Sequence, residues 1–365
     1  MNKIILITSN IAPYRLLWCE ELAKLFDVTI YYTKDKEKNY DDRFLKHSSN
    51  KCHIVKLNNK NDDTQNPICF DVIKVIKENI NSLIIFDGYG PYTNLIGMVY
   101  AKLNKLKTFV SVDGYPTERK KKVFRDFVRK FVISNLCDVF FCAGENVKDY
   151  LIRYGAKKDN VCVHNFSSIT DSMIIDKPLS HDEKIELRKK YGIETKGNMV
   201  IGVGRFVPLK RFEDLIEACK KLDVDLYLLG GKPTDKYLEL VGNSTNIHFI
   251  DFVLPEDVFD YYKMANVFVL PSETDVWGLV VNEAMSQGLP VVVSDSVVAG
   301  YNMVKNNGVI FKTYDVNGLS EAIKTCLNDK TNKEMSINSL KIVKEFTIEG
   351  MVNRQLHIIN KFFNI

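Results

Sequence analysis

Nowhere in this sequence do eighteen apolar residues run together, so nothing in it reads as a bilayer-spanning helix. Between Asn2-Lys3 and Thr8-Ser9-Asn10 the amino terminus offers only Ile4-Ile5-Leu6-Ile7. That is too short for the apolar core of a signal peptide, and a cytoplasmic protein is expected. Paired cysteine spacings are missing as well. Cys19, Cys52, Cys69, Cys137, Cys142, Cys162, Cys219 and Cys326 are scattered with no histidine cluster beside them. This argues against a structural zinc site and for small apolar core residues in a reducing compartment. Strong charge is absent too: +4 over 365 residues argues against nucleic acid as a partner. No fixed-period repeat is found. With 45% apolar and 26% charged residues the chain is of ordinary globular composition, and its length suits two domains. The charge is unevenly spread, with 28 Lys/Arg against 21 Asp/Glu in residues 1–180 and 22 against 25 in the remainder.

Short runs rich in Ile and Val alternate with stretches of helical period. Ile4–Thr8, Val28–Tyr32, Leu83–Phe86, Thr108–Val112, Val139–Cys142 and Val161–His164 read as buried strands. Helices are expected over 14–26, 70–80, 93–105, 119–136 and 146–155. Residues 34–66 are polar and charged and read first as solvated loops; loops over the carboxyl edge of a sheet are also where an acceptor can be recognised. After a turn-rich stretch around 166–197 the alternation restarts. Strands are expected at Met199–Val203, Leu226–Leu229, Ile247–Phe249, Val267–Leu270 and Val291–Ser294, with helices at 212–222, 257–265, 278–287 and 317–328. Continuous apolar strands with helices between them imply parallel sheets covered on both faces. The expected architecture is α/β, two doubly wound Rossmann-like domains over 1–172 and 173–346. Such a pair is expected to hold its ligand in the cleft between the domains, beyond the carboxyl ends of the strands.

The segment from Val267 to Asp295 is the most informative. A strand ends at Pro271-Ser272, a polar loop follows, and a helix begins near Gly278 and ends at Gly288 and Pro290. Ser272, Thr274 and Asp275 are each competent to cap that helix. Its first-turn N–H groups and positive dipole end suit a phosphate. Asp275 and Glu283 stand eight positions apart, about 12 Å and about 80° around the axis if all of it is helical. Two carboxylates flanking an anion-binding helix start fit a ligand with hydroxyls at both ends and phosphate between. A capping Asp and a solvated Glu would give the same spacing.

The second motif runs from Val200 to Arg211, where a strand enters a turn containing Gly202 and Gly204 and then Arg205 and Lys210 precede a helix. Glycine lets a ligand approach the backbone, and the two cations can neutralise a diphosphate. A dinucleotide fingerprint fails here, because its third glycine falls on Val207.

Together these segments resemble the retaining glycosyltransferases of family 4, whose glycosyltransferase-B fold sets two Rossmann-like domains face to face. The resemblance is strongest over roughly 199–312 and includes Leu228-Leu229-Gly230-Gly231 and Phe249-Ile250-Asp251-Phe252. It implies a donor-binding second domain, an acceptor-binding first domain, and a last helix (347–365) that packs back on the first. It implies that Arg205 and Lys210 stabilise the departing diphosphate, that Glu283 binds the ribose hydroxyls, and that Asp275 lies beside the donor sugar. Gly204, Gly278, Leu279 and Gly230 would line the donor. Asp275 replaces the glutamate usual in the family and Trp277 stands where Phe is common; Glu273 is the other candidate for that first carboxylate. In the first domain, Ser9-Asn10-Ile11-Ala12-Pro13-Tyr14-Arg15 replaces the family's Gly-Gly loop. Pro13 suits a helix start, and Arg15 either meets an anion or forms a surface ion pair. Asp113 falls near the position of a sugar-side histidine and either bonds a sugar hydroxyl or forms an Asp-Gly turn. Tyr89, between Gly88 and Gly90, can stack on an acceptor sugar or belong to an ordinary turn.

The resemblance implies transfer, with retention and without a metal or other cofactor, of a hexose or N-acetylhexosamine. The donor would be a nucleotide diphosphate sugar such as a UDP-sugar, and the acceptor a glycan or lipid-linked oligosaccharide in bacterial capsule or O-antigen synthesis. A sugar-nucleotide epimerase of the same fold, or a non-catalytic nucleotide-sugar-binding partner, are the alternatives. The segment 119–132 adds a membrane signal: residues 119–130 hold seven basic residues and one acid, with Val123, Phe124, Phe127, Val128, Phe131 and Val132 at helical spacing. Much of that apolar face is expected to pack on the core while the basic side meets an anionic membrane surface, giving a peripheral protein on the inner face.

Overall fold

A computed structural model describes residues 2–35, 48–58, 66–115 and 123–363. The chain forms two compact units, Met1–Ser168 with Thr347–Ile365, and Ile169–Phe346.

Among the described residues of the first unit, seven strands form one parallel sheet in the order β3-β2-β1-β4-β5-β6-β7. They are β1 (Lys3–Thr8), β2 (Asp27–Tyr32), β3 (His53–Lys56), β4 (Leu83–Asp87), β5 (Phe109–Val112), β6 (Val139–Cys142) and β7 (Val161–Val163). The crossovers run through α1 (Pro13–Leu22), α2 (Asp71–Glu78), α3 (Tyr92–Leu103), α4 (Val123–Asn135) and α5 (Glu145–Arg153). Helices on both faces explain why β5 and β6 are buried at every position. α1 starts at Pro13, whose missing N–H costs nothing in a first turn.

The second unit repeats the plan. Its helices in chain order are α6 (His181–Lys190), α7 (Phe212–Cys219), α8 (Asp235–Val241), α9 (Pro255–Met264), α10 (Leu279–Ser286), α11 (Gly300–Met303), α12 (Val316–Leu327) and α13 (Asp329–Val343). Its strands are β8 (Met199–Val203), β9 (Asp225–Leu229), β10 (Ile247–Ile250), β11 (Val267–Leu270), β12 (Val291–Ser294) and β13 (Gly308–Phe311), in the parallel order β10-β9-β8-β11-β12-β13. In both sheets the winding reverses beside the first strand, between β1 and β4 and between β8 and β11. Loops leaving the strands diverge there, so a ligand can reach the backbone between them.

The last helix, α14 (Ile348–Phe363), belongs to the first unit and packs on α1 and β7. Gln355 fastens it: its Oε1 accepts from the buried Trp18 Nε1 at 2.7 Å, and its amide nitrogen faces Nδ1 of the buried His164. Burial, with Arg15 and Arg354 adding to it, holds His164 neutral by lowering its pKa from 6.5 to about 3.

Three expectations need correction. The polar stretch 34–66 contains β3, an edge strand whose side chains stay largely exposed; residues 36–47 and 59–65 of it lie outside the described residues. The stretch 166–197 contains α6, started by a capping box in which Ser180 and Glu183 each accept the other's backbone N–H. Most of the apolar face of α4 is not in the core: Val132 and Ile133 are buried, while Val123, Phe124, Phe127, Val128 and Phe131 are exposed.

Candidate active site

In the second unit the loops after β8 and β11 meet at the reversal of winding. β8 is followed by Gly204, whose N–H donates to Leu229 O at 2.8 Å. Gly230 lies against it so closely that a Cβ there would stand 1.8 Å from Gly204 O. Gly230 is thus explained by the approach of two strand ends, and Gly204 by its positive φ of 151°. Arg205 follows directly, half-buried, and the chain turns through Pro208–Lys210 before α7. Arg211, in the left-handed region at φ 53°, starts α7 and pairs with Asp214 at 2.6 Å and Glu213 at 3.2 Å.

Two contacts join this loop to the one after β11. The Glu273 N–H donates to Leu209 O at 2.9 Å, and Lys210 Nζ donates to Asp275 Oδ2 at 2.6 Å. The 273–278 loop is braced from its other side. Asp275 N–H reaches Ser296 O at 3.2 Å, Val298 N–H reaches Asp275 O at 3.2 Å, and Ala299 N–H reaches Trp277 O at 2.9 Å. Trp277 is buried, its Nε1 donating to Asn282 Oδ1 at 3.2 Å. An aromatic at this position therefore fills the core beneath the loop.

α10 begins at Leu279 with Gly278 as its N-cap at φ +101°, and no side chain caps it. The backbone angle demands glycine at 278, and a Cβ there would also sit tightly, 3.0 Å from Val297 Cγ1. This corrects the expectation of a capping Ser272, Thr274 or Asp275: Asp275 instead faces Lys210. It also removes the helical estimate of the Asp275–Glu283 geometry, since only 279–286 is helix. Glu283, half-buried one turn inside α10, accepts from the buried Tyr262 hydroxyl at 3.1 Å. Burial and that carboxylate push the Tyr262 phenol well above its usual range, so Tyr262 stays a donor.

In the first unit the corresponding reversal, between β1 and β4, holds a charged cluster. Arg15, 3% exposed, donates to Asp87 Oδ1 at 2.6 Å and to Asp113 Oδ2 at 2.7 Å. Thr8 Oγ1 donates to Asp87 Oδ2 at 2.7 Å. The guanidinium also stacks on Trp18, with Cζ 5.2 Å from the ring centroid. Burial disfavours its charge, and the two carboxylates more than offset this, so its pKa is raised. Arg15 is therefore no surface pair; it anchors two carboxylates that still reach solvent. Asp113 is raised from 3.8 to about 6, by burial first and the nearby Asp87 as well, against the pull of Arg15. Asp87 is the member that motif reading missed: it ends a buried strand and belongs to no recognised pattern.

Tyr89, on the loop after β4, shares a hydrogen bond with Tyr150 at 2.9 Å. Tyr115 stacks on Tyr150 with centroids 5.1 Å apart. Among the described residues no group of three or more His, Cys, Asp or Glu side chains can hold a metal ion, and no helix is long and apolar enough to cross a membrane.

Residues 183–341 match the family model described as glycosyl transferases group 1. One similar protein is an uncharacterised glycosyltransferase of Methanocaldococcus jannaschii, 31% identical over 173 residues, which are 45% of this chain and 44% of that one. Another is the capsular polysaccharide biosynthesis glycosyltransferase CapM of Staphylococcus aureus, 28% identical over 263 residues and 67% of each chain. The chain spans about half the length of the first of these relatives. A solved Anabaena structure, HepE in complex with UDP, is 16% identical with a TM-score of 0.75 and covers all of both chains. The fold is α/β of the glycosyltransferase-B type.

Proposed function

We propose, from the match of residues 183–341 to the family model described as glycosyl transferases group 1, that the chain is a retaining, metal-independent glycosyltransferase. It moves a hexose or N-acetylhexosamine from a nucleotide diphosphate sugar, a UDP-sugar by preference, to a glycan acceptor. The observation that carries this reading is the Lys210–Asp275 pair at 2.6 Å, set beside the side-chain-free start of α10 where β8 and β11 diverge. An ammonium and helix N–H groups at one place suit a diphosphate, and they act most strongly as charge builds on it.

In this reading the anomeric C–O bond to the diphosphate breaks as a bond to the acceptor oxygen forms on the same face. The acceptor hydroxyl proton passes to the departing phosphate. Arg205 and Lys210 hold the leaving charge; Gly204, Gly230, Gly278 and Leu279 present backbone to the donor; Glu283 takes the ribose hydroxyls. Asp275 is favoured over Glu273 as the sugar-side carboxylate because Glu273 points to solvent while Asp275 faces the ammonium. The acceptor is assigned to the first unit, around Asp113, Arg15 and Tyr89. The match to a capsular polysaccharide biosynthesis enzyme supports surface polysaccharide synthesis; a lipid-linked acceptor and a cytoplasmic, peripheral place at the inner face of the membrane complete the proposal.

The test is a panel of nucleotide sugars assayed with and without added glycan acceptor, using the parent and Asp275→Ala. Acceptor-dependent sugar transfer, lost in Asp275→Ala, is the expected result. Undiminished transfer by the variant moves the role to Glu273. Donor conversion without any acceptor would instead mean an epimerase, and donor binding without turnover a silent binding partner.

A further inference from the structure

Helix α4 carries its amphipathicity reversed over its first two turns. There the residues turned to the protein are charged, with apolar burial confined to Val132 and Ile133 near its end: Arg129 donates to Asp126 at 2.7 Å and to the Tyr154 hydroxyl at 3.2 Å, and its guanidinium lies 5.1 Å from the Tyr154 ring centroid. The residues turned to solvent are apolar, with Val123 82%, Phe124 80%, Phe127 68% and Phe131 53% exposed. A water-facing helix normally has these roles exchanged. Three phenylalanines on adjoining turns, with Val123 and Val128 beside them, make a contiguous apolar face of the kind that marks an interaction site.

Charge selects the occupant. Residues 119–130 hold seven basic residues and one acid, and Lys130 is exposed on α4 itself; Arg119, Lys120, Lys121 and Lys122 lie outside the described residues. A second copy seated on this face about a two-fold axis would bring like charge against like. An anionic lipid surface offers negative charge and apolar depth together.

We propose that α4 lies in the plane of an anionic membrane with Phe124, Phe127 and Phe131 inserted below the headgroups. The Asp126–Arg129–Tyr154 contacts fix the roll of the helix, so the aromatic face stays outward before lipid is met. The same contacts lead inward: Tyr154 packs on Tyr150 at 4.9 Å between ring centroids, and Tyr150 bonds Tyr89. Docking therefore sets Tyr89, on the loop after β4, on the side of the protein that faces the lipid. That last consequence, delivery of a lipid-linked acceptor to Tyr89 and Asp113, rests on the transferase reading, whereas the docking does not.

The experiment uses the full chain and no substrate. Flotation is measured with vesicles of phosphatidylcholine alone and with vesicles rich in phosphatidylglycerol. The parent should float with the anionic vesicles, and the triple variant Phe124→Ser, Phe127→Ser, Phe131→Ser should bind them about tenfold or more weakly. Its circular dichroism and Tm should match the parent, since these side chains contribute little to the core. A separate Phe127→Trp variant should show blue-shifted emission on anionic vesicles and quenching by lipids brominated in the acyl chain. Equal vesicle binding by parent and triple variant would overturn the proposal. So would emission unchanged by vesicles, or a parent dimer that the triple variant dissociates while vesicle binding is unaffected. Failure of sugar transfer alone would leave the docking standing.

Discussion

Lys210 is a charge held in place by a charge. Its ammonium bridges two loops through Asp275, beside the start of α10 where the diphosphate is proposed to lie. Replacing it by alanine should lower kcat about 10²–10³-fold, the usual cost of losing a fixed stabiliser of developing charge, with a smaller change in donor KM. Equal loss in KM and none in kcat would mean that it only binds. Gly230 makes a stability prediction instead. A methyl group 1.8 Å from Gly204 O cannot be accommodated without backbone shift, so Gly230→Ala should cost about 1–3 kcal/mol in urea denaturation. Asp113 makes a pH prediction. Its pKa is raised by folding, so the folded chain binds the proton more tightly than the unfolded one between pH 3.8 and about 6. Its contribution to stability is present below that window and is lost as pH rises through it. Comparing Asp113→Asn with the parent across that range should show a flatter stability profile in the variant. These residues differ in legibility. Lys210 was legible because a strand, a glycine-containing turn and two cations stand together before a helix, and its bond to Asp275 was not, because the two are 65 positions apart.

At the scale of elements, α14 shows how one polar side chain can fasten a helix. Gln355 satisfies the buried indole N–H of Trp18 and faces His164, groups more than 190 positions away. Gln355→Ala should orphan the indole and lower stability by about 1–3 kcal/mol, read as a fall in Tm; an unchanged Tm would mean that water takes over the bond. The buried strands β6, β8, β11 and β12 could be read from continuous apolar runs, since both their faces are covered. The edge strands β3 and β13 could not. β3 offers only Ile54-Val55 between a His and a Lys, and β13 only Val309-Ile310-Phe311 after a glycine, with side chains partly exposed in both. α6 went unread because it is polar nearly throughout and announces itself only through its capping box. The exposure of α4's phenylalanines was hidden for a different reason: periodicity marks an apolar face without saying which side the protein covers.

For the whole molecule, the two units should respond differently to a nucleotide. Added UDP should slow amide hydrogen exchange in the second unit, around 204–211 and 272–283, and leave the Arg15–Asp87–Asp113 region unchanged. Protection centred on the first unit would contradict the donor assignment. The sequence by itself determined the fold class and the repetition of one α/β plan, and it picked out the residues proposed to meet a diphosphate. Those properties are carried by local periodicity, by glycine at strand ends and by charge at fixed spacing. Tertiary structure decided which charges pair, that Gly278 rather than an acid begins α10, that Arg15 is buried between two carboxylates, and that α4 turns its aromatics outward. Each of those depends on atoms brought together from distant parts of the chain, where pairing energy and burial are set by neighbours that no local pattern names.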